Sequence, residues 1–493
     1  MLGGNLYYCC AYYFQDLQIH TIEEMSRQKA KDKIDFHRVD VGGTCVNFPF
    51  SPYEIQVDYM RKVLECLEGG HNGLLESPTG TGKTLSLLCS TLAWLEKAKA
   101  ATQLARLMPD PGGAEGGDGG GGNWSPPVRH KIIYSSRTHS QLSQAVAELG
   151  RTTYRYMRVS ILGSRDQLCV NPAVMEAQSS REKLHMCQAR VKSKTCTFHQ
   201  NVEKSKERQE LRDNEIMDIE DLHRLGKKHN FCPYYMSREL YQSADVIFLP
   251  YNYLLDHKIR SSLDIDFNGS VIIFDEAHNV QKMCEETASV SISGQDIALA
   301  IKDIEETVEE MKNPNVGFDE ADVAPKDLHE SELLIIKDLL LEVEKQITGI
   351  LIGKTNRTEP GSFVCGMFQD FRNPGIVKVL ELLVEYTNSS NTATFNTKGR
   401  GVTRLLEFIS GAFSENISPE DLKELYKVYI CKDEKGEGGT GFLKNKSENT
   451  LLHLWCFSPG FSMQRLARLG ARSIILTSGT LSPLQATAEE IGD

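Results

Sequence analysis

Two separated clusters in this chain have the residue types to hold and split a nucleoside triphosphate. The first is Ser77-Pro78-Thr79-Gly80-Thr81-Gly82-Lys83-Thr84, a glycine-rich turn that opens an apolar helix. Successive backbone N–H groups of such a turn make a nest for phosphate oxygens. Lys83 adds a point charge for the β- and γ-phosphates, and the Thr84 hydroxyl suits magnesium. Ser77 stands where the usual pattern has glycine. The second is Asp275-Glu276-Ala277-His278, after the apolar run Val271-Ile272-Ile273-Phe274. A carboxylate ending a strand projects at the carboxyl edge of a sheet, where a nucleotide lies. Asp275 is then placed to hold magnesium through water, and Glu276 to orient or deprotonate the attacking water, with His278 beside them in the catalytic group. Alone, the four residues could be a strand end followed by a helix cap. Together with the phosphate loop they read as one Mg-ATP site.

Between the two halves lie Cys169, Cys187, Cys196 and Cys232, separated by 17, 8 and 35 residues. Zinc modules usually carry paired C-x2-4-C spacing, which these lack. Iron–sulfur ligation tolerates wide gaps, and Cys232-Pro233 matches the end of ferredoxin runs. On spacing, an iron–sulfur cluster, zinc and four unrelated cysteines all remain open. The chain has 13 cysteines and no secretory or transit signal is read in it, so metal ligation or burial is expected rather than disulfides. Cys66, Cys89, Cys284, Cys365, Cys431 and Cys456 sit in apolar or helical contexts and read as small core residues.

The elements that must position these groups follow from apolar runs and turn signals. Gly73-Leu74-Leu75-Glu76, Lys131 to Ser135, Ala244 to Leu249, Val271 to Phe274 and Ser473 to Leu476 read as strands of a parallel sheet alternating with helices, an α/β fold. The Gly-rich run from Pro111 to Asn123 cannot bury enough to order itself. Residues 284–450 change to long acidic amphipathic helices, read as a mainly helical insertion. No apolar run approaches the ~20 residues of a membrane span.

The net charge of -12 argues mildly against nucleic acid, but its distribution does not. Residues 125–194 carry 12 Lys/Arg against 4 Asp/Glu, whereas 301–345 carry 5 against 14. Screening confines each charge to roughly 8–10 Å, so the basic stretch can meet phosphates whatever the total. Arg165, Arg190, Lys192 and Lys194 crowd around the cysteines with Phe198, His199, Tyr234 and Tyr235, a mixture that suits single-stranded nucleic acid. A solvated helix with core aromatics is the plain alternative.

An ordered series of motifs then adds a likeness: Phe48-Pro49-Phe50 with Tyr53 and Gln56, Glu76 to Thr84, Ser136-Arg137-Thr138-His139, Leu162-Gly163-Ser164-Arg165 before Cys169, Cys232-Pro233-Tyr234-Tyr235, Pro250 to Leu255, Asp275 to His278, and Ser478-Gly479-Thr480-Leu481. Over roughly residues 40–493 the chain resembles the xeroderma pigmentosum group D type of superfamily 2 DNA helicase. That resemblance implies a RecA-like P-loop motor domain, interrupted by a [4Fe-4S] domain held by the four cysteines and by a helical Arch domain. The implied division is a tail over 1–40, motor over 41–165 with a Gly-rich insertion at 108–127, cluster domain over 166–235, motor over 236–285, Arch over 286–450, and motor over 451–493. It further implies ATP, Mg2+, and 5'-to-3' movement on single-stranded or forked DNA to dismantle displacement loops, telomeric loops and G-quadruplexes. The expected setting is a nuclear monomer without membrane contact, with protein partners on the Arch. By the same likeness Gln56 would read adenine, and Arg137, Thr138, Arg165, Lys192, Lys194, Tyr251, Ser478 and Thr480 would contact DNA or couple it to the nucleotide. Family members continue into a second motor domain, so these 493 residues are expected to bind DNA and to hydrolyse ATP weakly. A non-catalytic DNA-binding fragment and an RNA helicase of the Asp-Glu-Ala-His type are the rival readings.

Overall fold

The computed structural model describes residues 36–107, 129–177, 179–212, 216–263, 265–312, 327–350, 356–389, 399–413, 417–432, 449–481 and 483–491. Of the expected tail over 1–40, residues 1–35 lie outside the described residues, as does the Gly-rich insertion over 108–127. Residues 37–40 are not tail. They begin strand β1 (His37–Val41), which pairs antiparallel with β2 (Thr44–Phe48) across Gly42-Gly43. Both glycines have positive φ, +60° and +82°, as a tight two-residue hairpin turn requires. Val41, Val46 and Phe48 are buried from this hairpin.

The centre is a six-stranded parallel sheet of β3 (Gly73–Glu76), β4 (Ile132–Ser136), β5 (Val159–Ile161), β6 (Val246–Pro250), β7 (Val271–Asp275) and β12 (Ser473–Ser478), in spatial order β3-β12-β7-β4-β6-β5. Side chains alternate faces along a strand, and both faces are covered. Tyr134, Phe248, Ile273 and Ile475 enter one core with the helices Glu54–Gly69 and Lys83–Leu107. Ile133, Ile247, Ile272 and Leu476 enter the other, with Val280, Met463 and Leu466. The sheet therefore reads as nearly unbroken apolar runs, because neither side faces water.

Two excursions leave this sheet. Between β5 and β6 the four cysteines lie among helices that include Ser180–Lys192, Ile219–His229 and Pro233–Ser243. After β7 the chain enters a body with its own core, built on helices Gly294–Lys312, Glu330–Ile350, Pro374–Ser389 and Arg400–Ala412. That body is not helical throughout. It contains a four-stranded antiparallel sheet of β8 (Val290–Ser293), β9 (Asn356–Pro360), β10 (Tyr426–Lys432) and β11 (Thr450–Cys456), in order β8-β11-β10-β9. Strand β11 extends past the expected boundary at 450, and the chain returns to the parallel sheet only through helix Pro459–Ala467. Among the described residues no helix is long and apolar enough to cross a membrane.

Candidate nucleotide site and cysteine cluster

Because the central strands are parallel, their carboxyl ends share one edge, and the proposed chemistry collects there. The loop from Ser77 to Gly82 joins β3 to the helix beginning at Lys83. Gly80 and Gly82 take φ of +85° and +77°, which side chains resist. A Cβ on Gly82 would stand 2.5 Å from Gln56 Nε2. The loop is braced from within: Ser77 Oγ lies 2.7 Å from Thr81 Oγ1, and Thr81 Oγ1 donates to the Pro78 carbonyl at 2.8 Å. Pro78, Thr79 and Gly80 stay exposed.

Lys83 Nζ donates to Glu276 Oε1 at 2.8 Å and lies 3.5 Å from Asp275 Oδ1, so residues far apart in sequence meet in one site. Asp275 is buried. Burial raises its carboxyl above the ordinary range, against the lowering effect of Lys83 and of the Tyr134 hydroxyl. Burial pushes Glu276 upward too, but its bond from Lys83 and a further one from Ser478 outweigh this and hold it below its usual value. Glu276 sits in the left-handed region at φ 58°, ψ 46°, a conformation that costs a non-glycine residue on the order of 1–3 kcal/mol. Its carboxylate is thereby turned toward Lys83.

Sequence reasoning passed over Tyr134. Its hydroxyl donates to Asp275 Oδ2 at 2.7 Å and also meets the Thr84 hydroxyl, so it stands between the two expected magnesium ligands. Nothing in a strand-forming Ile-Ile-Tyr signals this.

The other expected residues divide. Ser478 Oγ donates to Glu276 Oε2 at 3.2 Å and lies 2.9 Å from His278 Nδ1, while the Ser478 carbonyl accepts from Ser77 N at 3.1 Å. Ser478 is fully buried, so it links both halves of the nucleotide site and offers no surface to DNA. Tyr251 is corrected likewise: it is buried, and its hydroxyl donates to the Asp275 carbonyl. Arg137, Thr138 and Thr480 are exposed at the same sheet edge, with Thr138 capping helix His139–Gly150. Gln56 is buried, and its amide donates to the Thr81 carbonyl at 2.9 Å, bracing the phosphate loop.

Cys169, Cys187, Cys196 and Cys232 are free thiols, all buried at 6–8% exposure. Burial pushes Cys232 up to about 12 and raises Cys169, and each feels the charge of other members of the set. Backbone N–H groups of Asn171 and Tyr235 point at Cys169 and Cys232, and Asn171 Nδ2 lies 3.5 Å from Cys196 Sγ. Arg165 bonds Cys187 and lies over the Tyr234 ring at 4.1 Å, so it faces the cysteines more than solvent. Among the described residues no three His, Cys, Asp or Glu stand as the donors of a single metal ion. A four-iron cluster spreads its thiolates more widely than one ion does, and N–H donors to sulfur are what such a cluster uses. The donor set fits that group. Lys192 is exposed and pairs with Glu385 of the second excursion at 3.6 Å, and Lys194 is exposed beside it.

Residues 134–297 match the family profile DEAD_2, and residues 299–459 match the profile described as RTEL1 helicase, ARCH domain. Proteins called regulator of telomere elongation helicase 1 homolog from Drosophila persimilis and Aedes aegypti are each 40% identical over 92% of this chain. Over both matched stretches the chain is similar to helicases of the RTEL1 type. It spans about half the length of these relatives, 48% and 49%. Solved structures called XPD_Helicase and Truncated XPD align over 89% and 88% of this chain and over 60% and 96% of their own. They share 19% and 18% identity with it, each at a TM-score of 0.46.

Proposed function

We propose that the whole protein is an ATP-driven DNA helicase that moves 5' to 3' on single strands. In this reading it acts in the nucleus, in DNA repair, recombination control and telomere maintenance, by opening displacement loops, telomeric loops or G-quadruplexes. The observation that carries the ATP reading is the meeting of Lys83 with Asp275 and Glu276 at the carboxyl edge of the sheet. Residues 77–82 would cradle the phosphates, Lys83 would leave Glu276 for the γ-phosphate, and Thr84 and Asp275 would hold magnesium. Glu276, freed of the lysine, would orient water, with His278 and Ser478 reporting its state to Thr480 and the DNA edge. Arg137, Thr138, Lys192 and Lys194 would follow the DNA backbone; polarity, nuclear setting and substrates rest on family likeness.

Cys169, Cys187, Cys196 and Cys232 would hold a [4Fe-4S] cluster, which when bound supplies a covalent cross-link fixing an insertion that has only small cores of its own. The test pairs two measurements. DNA-stimulated ATP hydrolysis of the full-length protein should fall at least ~100-fold in Lys83→Ala. Unchanged turnover would leave a non-catalytic DNA binder, and stimulation by RNA alone would favour an RNA helicase. Anaerobically purified chain should contain iron and sulfide that Cys169→Ser and Cys232→Ser lose; zinc in their place would overturn the cluster assignment.

A further inference from the structure

The antiparallel sheet β8-β11-β10-β9 buries one face in the core of its own body and turns the other outward. In β10 and β11, Val428, Ile430, Leu452 and Leu454 point in. The outward positions include Tyr429, His453 and Trp455, with Tyr429 directly opposite His453 and Lys427 directly opposite Trp455. Their rings stack on each other: Tyr429 and Trp455 at 5.1 Å and 13° between planes, His453 and Trp455 at 5.3 Å and 28°. Backbone pairing continues one residue beyond β11, where Phe457 N donates to the Leu425 carbonyl at 2.9 Å. Phe457 therefore extends the row His453, Trp455, Phe457, whose members lie roughly 6.5–7 Å apart along the strand. Trp455 is 39% exposed and Phe457 56%, and the Lys427 ammonium lies 5.4 Å above the Phe457 ring.

Large rings left open to water call for an occupant, and charge selects among candidates. Residues 301–345 of the sequence carry 14 acids, yet no outward position of these four strands is Asp or Glu, and Lys427 is exposed among them. Phe457 also lines a cleft of about 570 Å³ that reaches His278 beside the nucleotide site, with Lys282, Glu285 and Glu490 on its walls. Stacked rings with a cation and no acid among the outward positions of the sheet itself suit unpaired bases, whose faces stack on any ring while the backbone meets the lysine.

We propose that this face is a base-stacking platform for single-stranded nucleic acid, with Trp455 as its centre and Lys427 as its phosphate contact. The proposal rests on the DNA reading above and adds a strand path over the second excursion, which the family profiles do not assign. The test titrates the full chain with fluorescein-labelled oligo-dT, and separately with an abasic strand of the same length, following Trp emission in the unlabelled equivalents. Trp94 is buried, so quenching by bases reports on an exposed tryptophan, and its loss in Trp455→Phe assigns it to Trp455. Removing one stacking ring typically weakens single-strand binding roughly 5- to 150-fold. Trp455→Ala should show that loss on oligo-dT, Trp455→Phe should retain most affinity, and neither should matter on the abasic strand. Equal oligo-dT affinity in wild type and Trp455→Ala, or no base-dependent quenching, overturns the platform while leaving the helicase reading intact. A platform for a protein partner would give that same result. Failure of wild type to bind any single strand overturns the DNA reading itself.

Discussion

Tyr134 controls the site through one hydroxyl. It donates to Asp275 and meets Thr84, so it sets the spacing of the two oxygens proposed to hold magnesium. A hydrogen bond to a charged group contributes about 1.5–3 kcal/mol. Tyr134→Phe should therefore lower kcat/KM for ATP roughly 10- to 100-fold at limiting magnesium and less at saturating magnesium; a loss independent of magnesium would show that the hydroxyl does something else. Gly82 is constrained twice, by φ +77° and by Gln56 Nε2 at 2.5 Å from any added Cβ. Gly82→Ala should weaken nucleotide binding at least about tenfold in a fluorescent-nucleotide titration. Adding Gln56→Ala should not restore it, since removing the clash leaves the backbone strain; full rescue would mean that crowding alone mattered.

Helix Lys83–Leu107 carries more than Lys83. Its Glu96 accepts a hydrogen bond from the Tyr156 hydroxyl, and burial pushes the carboxyl up to about 7, with Lys99 opposing. The unfolded chain releases this proton near 4.3. Between those pH values the folded state binds more protons than the unfolded one, so the contribution is fully present below ~4.3 and is lost as pH rises through about 7. Glu96→Gln should raise Tm above wild type at pH 8, by an amount corresponding to ~1–3 kcal/mol, and leave it nearly unchanged at about pH 4. Melting curves whose difference does not vary with pH would refute the link. Five of the six parallel strands were legible as apolar runs because both faces are covered, whereas the three-residue edge strand β5 was not. Strands β8 to β11 were not: Asn356–Pro360 has no apolar alternation and ends in proline, and β8 has four residues. Only pairing with β10 and β11, distant in sequence, makes strands of them.

At the scale of the whole molecule, the cores divide the chain more deeply than its sequence order does. The second excursion buries Ile304, Leu340, Phe371, Leu405 and Phe408 in a core separate from both sheet faces. Its ties to the sheet include the Lys258 ammonium donating to the Glu407 carbonyl at 2.9 Å and the packing of helices Val280–Ala288 and Pro459–Ala467. A segment over residues 289–458 should therefore fold alone, with helical circular dichroism and a cooperative melt; a noncooperative melt would make the parallel sheet a required template. The exposed pair of Lys192 with Glu385 spans the two excursions and contributes only ~0–1 kcal/mol, so Glu385→Ala should leave Tm within about 2 °C. A larger loss would show that the excursions lean on each other.

The sequence alone determined the local chemistry: Gly80 and Gly82 allow the loop to curl, Lys83 and Thr84 open its helix, and an apolar run delivers Asp275 to a sheet edge. These are short-range constraints, written in neighbouring residues. Tertiary structure alone decided that Tyr134 bridges Thr84 and Asp275, that Ser478 and Tyr251 face inward, and that Tyr429, His453 and Trp455 share one open face. Each depends on which strands lie side by side, and strand order is fixed by packing between residues far apart in the chain.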